Sequence, residues 1–355
     1  MSRIAAVAPA LPAYRYDQAT ITAAFGDLVL TDPTDRRVLE RLHEATGVQT
    51  RHLAIPLEDY PGLDGFGAAN DVFIDVGTDL GERAVAAALT AAGLTPRDVD
   101  LLMVCSVTGV AAPSLDARLV PRLGLRTDVR RVPVFGLGCV AGAAGIARVH
   151  DYLRGDPDGV AVLLTVELCS LTLQRADDSM PNLVASGLFG DGAAAVVMVG
   201  ERRAASLGLD AAPQVLATRS RFYPDTERVM GWDIGGSGFR IVLAASVADV
   251  VEANLGEDVR GFLEDNELKI ADVARWIAHP GGPKVLHAMQ RALAVPEGAF
   301  DLTWASLADV GNLSSASVLH VLGATLAQPA PGPGEAGVLM AMGPGFCAEL
   351  VLLRW

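Results

Sequence analysis

Three residues far apart in the chain, Cys139, His279 and Asn312, share one chemistry by type and local setting. Cys139 sits in Phe135-Gly-Leu-Gly138-Cys139-Val-Ala-Gly142, small residues at the point where an Ala-rich helix begins. A thiol in the first turn of a helix feels the partial positive charge of unpaired N–H groups, which lowers its pKa. A neighbouring imidazole lowers it further by pairing thiolate with imidazolium. His279 ends an apolar run in Ala278-His279-Pro-Gly-Gly282, and Asn312 lies in Gly311-Asn312-Leu-Ser-Ser315. Ring and carboxamide can both donate to a thioester carbonyl oxygen, which becomes an enolate oxygen when a malonyl group loses carbon dioxide. The set suits acyl transfer to a thiol followed by decarboxylative carbon–carbon bond formation. His43, His52, His150, His287, His320 and the other three cysteines read as structural or surface residues.

The elements that position these groups follow from patterning. Leu101–Ser106, Val132–Phe135, Val160–Val166 and Ala193–Val199 read as buried strands, and Leu80–Ala92 and Gly142–Leu153 as helices. Pro329–Gly334 reads as a loop. The chain also resembles itself. Leu94–Cys105 runs parallel to Leu268–His279 at an offset of 174, which sets Cys105 opposite His279. Gly138-Cys139 falls opposite Gly311-Asn312 at 173, and Val160–Val166 matches Gly337–Met342 a few residues out of step. Two copies of one α/β unit are therefore expected, residues 1–205 carrying the cysteine and 206–355 carrying histidine and asparagine, with a seam near 200–215. Equivalent loops of the two copies then meet around a pseudo-twofold axis. A competing pattern overlaps the nucleophile: Gly136-Leu-Gly138-Cys-Val-Ala141, with Glu167 ending the next strand, fits the dinucleotide fingerprint. Against it, Cys139 would point into the pyrophosphate site, and the mirror segment at Gly311 has no such pattern.

Composition sets the outer limits. The chain has 355 residues, 51% hydrophobic with 37 Gly, enough apolar material for a large core. Its formal charge of −14 argues against a wide phosphate-gripping surface and hence against nucleic acid as partner. Lys269 and Lys284 are the two lysines among 28 basic residues. Four cysteines without a CxxC pair indicate neither a disulfide scaffold nor a zinc site. The apolar stretch Ile4–Leu11 contains Pro9, is followed by Pro12 and Arg15, and lacks a signal-peptide pattern. No apolar run reaches 18 residues, so no membrane span is expected and the expected compartment is the cytoplasm.

Five ordered segments carry a resemblance: Phe135-Gly-Leu-Gly-Cys139-Val-Ala-Gly, Leu188-Phe-Gly-Asp-Gly-Ala-Ala-Ala, Trp276-Ile-Ala-His279-Pro-Gly-Gly-Pro, Gly311-Asn312-Leu-Ser-Ser-Ala and Gly343-Pro-Gly345. Together they resemble the chalcone/stilbene synthase family, the type III polyketide synthases, over nearly the whole chain. The resemblance implies an α/β, thiolase-like five-layered αβαβα fold in a homodimer. It implies that Cys139 carries the growing chain as a thioester, while His279 and Asn312 bind the malonyl-CoA carbonyl and promote decarboxylation. Phe189 and Phe239 match the family's two gatekeeper phenylalanines. Arg41 matches a CoA-tunnel position, Ala45 stands where the family has a lysine, and Lys284, Gly281 and Gly282 are implied to line the tunnel. Local positive charge there would offset a bulk field that repels CoA phosphates.

Departures from the plant pattern bear on substrate. Val107, Thr108, Cys169, Met230 and Ser314 are the implied cavity positions, more apolar than in plant chalcone synthases. With the segments Val166–Thr172 and Val107–Arg118, they resemble the bacterial alkylresorcinol and alkylpyrone synthases. The expectation is a fatty acyl-CoA starter loaded on Cys139, extended by malonyl-CoA and cyclised to an alkylpyrone or alkylresorcinol, with an apolar tunnel for the alkyl chain. No metal or organic cofactor is implied; CoA thioesters are substrates. The rival readings are a ketosynthase-III-like single condensation on acyl carrier protein, an NAD-dependent dehydrogenase, and an inactive acyl-CoA-binding scaffold.

Overall fold

The computed structural model describes residues 1–30 and 33–355. Strands are β1 (Ser2–Ala10), β2 (Tyr14–Asp17), β3 (Thr50–Leu53), β4 (Leu101–Cys105), β5 (Arg130–Val134), β6 (Val160–Leu168) and β7 (Asp191–Gly200), followed by β8 (Gln214–Phe222), β9 (Met230–Gly235), β10 (Gly238–Leu243), β11 (Val273–Ala278), β12 (Ala336–Gly343) and β13 (Cys347–Arg354). Nine of them form one ladder, β11-β12-β13-β8-β1-β7-β6-β4-β5; β2-β3 and β9-β10 are separate ribbons. The ladder is two sheets joined at a narrow seam. β1 meets β8 through Ser2–Val215 and Arg3–Gln214 alone. On either side the pairings repeat: β1-β7 and β7-β6 antiparallel with β6-β4 parallel, then β8-β13 and β13-β12 antiparallel with β12-β11 parallel. β5 extends the first sheet only.

Five layers follow from where the apolar faces point. Helix Gly65–Ala91 covers the outer face of the first sheet through Phe73, Leu80, Ala84, Val85 and Ala88. Helix Val247–Glu264 covers the second with the stripe Val251, Leu255, Val259 and Phe262, one turn apart as an amphipathic helix requires. Helices Ala141–Gly155 and Ser317–Leu326 lie between the sheets, and both are small or apolar on nearly every side. Their approach is close. A Cβ on Gly142 would stand 2.5 Å from the Ser315 carbonyl oxygen and 2.6 Å from Val318 Cγ1. This is the thiolase-type αβαβα arrangement. The helix expected over Leu80–Ala92 begins much earlier, at Gly65; Gly65, Gly67 and Gly77 weaken its helical signal, and packing on the sheet overrides them.

The repeat register differs from the one the sequence suggests around Cys139. Each central helix is entered through a 3-10 turn, Gly138–Val140 in one half and Ser314–Ala316 in the other. Both turns open on a left-handed residue, Gly138 at φ +56° and Ser314 at +49°. The common offset is therefore 176, linking Gly138 to Ser314, Ala141 to Ser317 and Val160 to Ala336. Cys139 is equivalent to Ser315, and Asn312 lies three residues before its expected partner position. The reason is that Asn312 is drawn out of the turn into a bridge with Phe189.

Two outcomes test this packing. Gly142→Val pushes side-chain atoms into a backbone carbonyl, and the expected cost is about 3 kcal/mol, seen as a lower urea midpoint with native secondary structure. His320 is half-buried, its Nε2 against the Ala193 carbonyl at 3.0 Å, and burial pushes its pKa down to about 4. Between that value and the ordinary 6.5 the unfolded chain binds the extra proton, so this ring's contribution falls as pH drops through that window. Relative to His320→Asn, the wild type is expected to lose about 1.4 kcal/mol more per pH unit between pH 6.5 and 4, measured by urea unfolding.

Candidate active site

Cys139 occupies the 3-10 turn before helix Ala141–Gly155 and is 5% exposed. Its Sγ lies 3.7 Å from Ser314 Oγ. Ser314 reaches the other way too, donating its backbone N–H to Asn312 Oδ1 at 2.8 Å. One residue thus ties the thiol to the carboxamide. Asn312 Oδ1 also faces Ser317 Oγ at 3.4 Å. With its oxygen engaged, the side chain has its NH2 left to offer. The backbone of Asn312 is fixed independently, N–H to the Leu188 carbonyl at 2.9 Å and carbonyl to the Gly190 N–H at 3.0 Å.

His279 follows β11, and its N–H bonds the Met340 carbonyl of β12 at 2.9 Å. The far end of β12 abuts the turn that carries Cys139. A Cβ on Gly343 would lie 2.7 Å from Val140 N, and one on Gly138 would strike Pro344 at 2.8 Å. The ring thus stands at the carboxyl end of β11, and the thiol in the turn that opens helix Ala141–Gly155 and packs against the end of β12. The ring is 3% exposed, and both Nδ1 and Nε2 are buried without a hydrogen-bond partner among the described residues. Two orphaned nitrogens are costly in an apolar setting. A neutral ring offers one donor and one acceptor, so an incoming carbonyl oxygen and a thiol proton would satisfy both.

Burial acts on each group in opposite directions. It pushes the Cys139 thiol up to about 12 and the His279 ring down to about 3. The expected lowering of the thiol by the helix start is outweighed by desolvation. At rest both groups are neutral. Moving the thiol proton to the ring leaves the pair's net charge unchanged, and the two opposite charges created then stabilise each other.

Glu167 ends β6 fully buried, and burial raises its carboxyl. One oxygen accepts from Ser315 Oγ at 2.5 Å; the other accepts from Val107 N–H at 3.1 Å and Thr108 Oγ1 at 2.9 Å. These bonds correct the dinucleotide reading. A carboxylate spent on these donors and on Ser106 Oγ at 3.4 Å, four in all, cannot take a ribose hydroxyl, and the glycine turn before it opens a helix sandwiched between two sheets. Sequence reasoning noticed Glu167 only as part of that pattern. The better signal was a charge inside Val160–Leu168, otherwise almost wholly apolar.

Four of the remaining predicted residues divide between two cavities. One, of about 550 Å³, is lined by Cys169, Phe189, Arg51, Tyr60 and Trp232. The other, of about 410 Å³, is lined by Phe239, Thr108, Phe66 and Arg175. Phe239 is the hub of an aromatic cluster, with ring centroids 5.3 Å from Phe66, 5.9 Å from Trp232 and 6.1 Å from Phe135. The first lining is mostly apolar, with Ile21, Leu28, Leu53, Leu57 and Ile241 beside the aromatic rings, and the second is more polar. Val107 is buried and Met230 half-buried, and neither lines these two cavities. Arg41 is exposed on helix Pro33–Glu44, and Lys284 is exposed in the first turn of helix Pro283–Leu293, just after Gly281 and Gly282. No group of three or more His, Cys, Asp or Glu able to hold a metal occurs among the described residues, and no described helix is long and apolar enough to cross a membrane.

Comparison with known proteins agrees over the whole chain. Residues 1–202 match the N-terminal domain of the chalcone and stilbene synthases, and residues 214–355 match their C-terminal domain. A 1,3,6,8-tetrahydroxynaphthalene synthase of Streptomyces peucetius subsp. caesius is 59% identical over 355 residues, covering 99% of this chain and 93% of that protein. A putative chalcone synthase of Bacillus subtilis is 33% identical, covering 87% and 86%. The crystal structure of the 1,3,6,8-tetrahydroxynaphthalene synthase of Streptomyces coelicolor, a bacterial type III polyketide synthase, superimposes with a TM-score of 0.92 at 30% identity, covering 99% of each chain. From thiol turn to sheet order, the chain belongs to the chalcone and stilbene synthase family, the type III polyketide synthases.

Proposed function

We propose that Cys139 is the acyl carrier of this decarboxylating condensing enzyme, with His279 and Asn312 as its oxyanion donors. Enzymes of this family act on CoA thioesters and need no cofactor. His279 takes the Cys139 proton, the thiolate attacks the starter thioester, and CoA leaves as its thiol after regaining a proton. Malonyl-CoA then loses carbon dioxide. The electron pair of the broken C–C bond becomes an enolate, whose oxygen receives the His279 N–H and the Asn312 NH2. The enolate carbon attacks the Cys139 thioester and expels the thiolate, and the lengthened chain can be reloaded. Arg41 and Lys284 would meet the CoA phosphates, with Gly281 and Gly282 beside the pantetheine arm, and Phe189 and Phe239 would act as gatekeepers. Val107, Thr108, Cys169, Met230 and Ser314 are the candidate cavity residues. This reading divides the chain into a nucleophile half, 1–205, and an oxyanion half, 206–355.

For product, the reading rests on one observation, the 59% identity to a tetrahydroxynaphthalene synthase over 99% of the chain. A naphthalene has ten ring carbons, and hydroxyls at 1, 3, 6 and 8 fall on alternate positions. Such a skeleton is five two-carbon units: of five carbonyl oxygens, one leaves as water on ring closure and four remain. Malonyl-CoA alone can supply every carbon. The chamber of about 550 Å³, with Ile21, Phe25, Leu53 and Leu57 in its wall, favours the second reading, a fatty acyl starter and an alkylpyrone or alkylresorcinol product.

The same surface logic supports a homodimer. β5 is an edge strand paired only with β4, and Val132 and Phe135 beside it are 40% and 47% exposed. An open edge with apolar side chains is a template for a second copy.

Purified protein given malonyl-CoA alone is expected to make a ten-carbon tetrahydroxynaphthalene, identified by mass spectrometry, and Cys139→Ala is expected to make none. Product only with C6–C16 acyl-CoA starters would establish the fatty reading instead. By light scattering the wild type is expected at twice 37.0 kDa, and Val132→Asp is expected to shift it to the monomer mass; an unshifted Val132→Asp dimer would place the interface elsewhere.

A further inference from the structure

Helix Met180–Leu188 delivers Phe189 to the site, and its last carbonyls have no partner within the helix. Long-range donors take them. The Ser186 carbonyl accepts from Arg51 Nη1 at 2.6 Å, the Gly187 carbonyl from Gln18 Nε2 at 2.7 Å, and the Leu188 carbonyl from the Asn312 N–H at 2.9 Å. The Phe189 carbonyl accepts from Arg51 Nη1 at 2.7 Å. Arg51 Nε donates to Gln18 Oε1 at 3.0 Å, closing the set.

Arg51 itself is 3% exposed, on β3. Its aliphatic stem runs beside the turn that presents Asn312: a Cβ on Gly311 would lie 3.3 Å from both its Cγ and its Cδ, and one on Gly190 3.6 Å from Cγ. One side chain therefore spans both sides of the Phe189–Asn312 bridge, gripping one by hydrogen bonds and the other by contact. Its counter-charge is Asp191, whose oxygens are occupied by Ser170 and the Ala54 N–H. The guanidinium is thus held by carbonyls rather than by a direct ion pair. A cation at a helix C-terminus is favourable. Here Nη1 alone bonds both carbonyls while Nε holds Gln18, and Nη2 is buried without a partner among the described residues. A lysine ammonium, with no second nitrogen, cannot hold the carbonyls and Gln18 in that arrangement.

We infer that Arg51 is a positioning residue for the condensation, setting gatekeeper Phe189 and oxyanion donor Asn312 in one register. The inference rests on the roles proposed above for those two residues. It acts through backbone atoms, so its loss displaces the donor without removing it, and small misplacements of reacting groups are costly in rate.

Arg51→Lys, Arg51→Ala and Asn312→Ala, compared with wild type, separate the possibilities. Arg51→Lys is expected to lower kcat for polyketide about 100-fold with little change in melting temperature. Its products should shift toward shorter, prematurely released chains, because condensation slows relative to hydrolysis. Added guanidinium at about 50 mM should partly restore kcat and chain length in Arg51→Ala but not in Asn312→Ala. Wild-type kcat and product pattern in Arg51→Lys would overturn the inference. So would activity that falls only in proportion to folded protein, with unchanged product ratios and no rescue. If the arginine variants do not fold, Gln18→Leu, which leaves the charge in place, is expected to give the same shift in product length, and an unchanged distribution there would overturn it. Separately, malonyl-CoA decarboxylation at the wild-type rate by Asn312→Ala would sink the oxyanion role of Asn312, whatever the arginine variants do.

Discussion

The contact on which the rest depends is the meeting of two buried helix starts at Gly142 and the Ser315 carbonyl. Side chains elsewhere in the core could adjust by a rotamer; a backbone carbonyl cannot. That contact fixes the distance between the two sheets in the middle layer. It also brings the turn at Cys139 against the turn at Ser314, so thiol and carboxamide share a neighbour although 173 residues separate them. The narrow β1–β8 seam would tolerate many relative placements of the halves by itself. The middle layer removes that freedom.

Water exclusion gives the site its chemical character. His279 keeps two unpartnered nitrogens and Cys139 an undissociated thiol, both nearly out of solvent. In such surroundings a lone charge is penalised, while the proposed proton transfer from Cys139 to His279, or an enolate formed against the proposed donors, would not be. Around this centre the polar groups are spent structurally: Glu167 on Ser315, Val107 and Thr108, and Arg51 on the end of the Phe189 helix. The buried charges serve as struts for a reactive centre that carries little charge of its own at rest.

Much of the site was legible in the residues. Cys139, His279 and Asn312 stood out because small flanking residues leave room and because two of them fall near corresponding turns of a repeat, though three residues out of register. Most sheet strands near them announced themselves as Val- and Leu-rich runs, since both of their faces are buried and no alternation is imposed; Val132–Phe135, expected buried, is instead part of an exposed edge strand paired on one side only. The exact register of the repeat was not legible. A three-residue slip costs nothing in a string of Gly, Ala and Ser, and only the left-handed residues Gly138 and Ser314 reveal the true alignment. Glu167 and Arg51 were also missed, one absorbed into a dinucleotide pattern and the other an arginine among many.

What the sequence by itself determined is the chemistry: which side chains can act as nucleophile, ring and amide, and a duplicated α/β unit to carry them. Side-chain type and hydrophobic period are local properties, and local properties can be read along a chain. What only the tertiary structure decided is who holds whom. Arg51 closes the end of the Phe189 helix, Ser314 links thiol to carboxamide, and Glu167 anchors four donors, because most buried polar groups take partners wherever the fold brings them. Those partners lie up to 175 residues apart, and nothing in the spacing of a sequence marks them until the two halves have closed on each other.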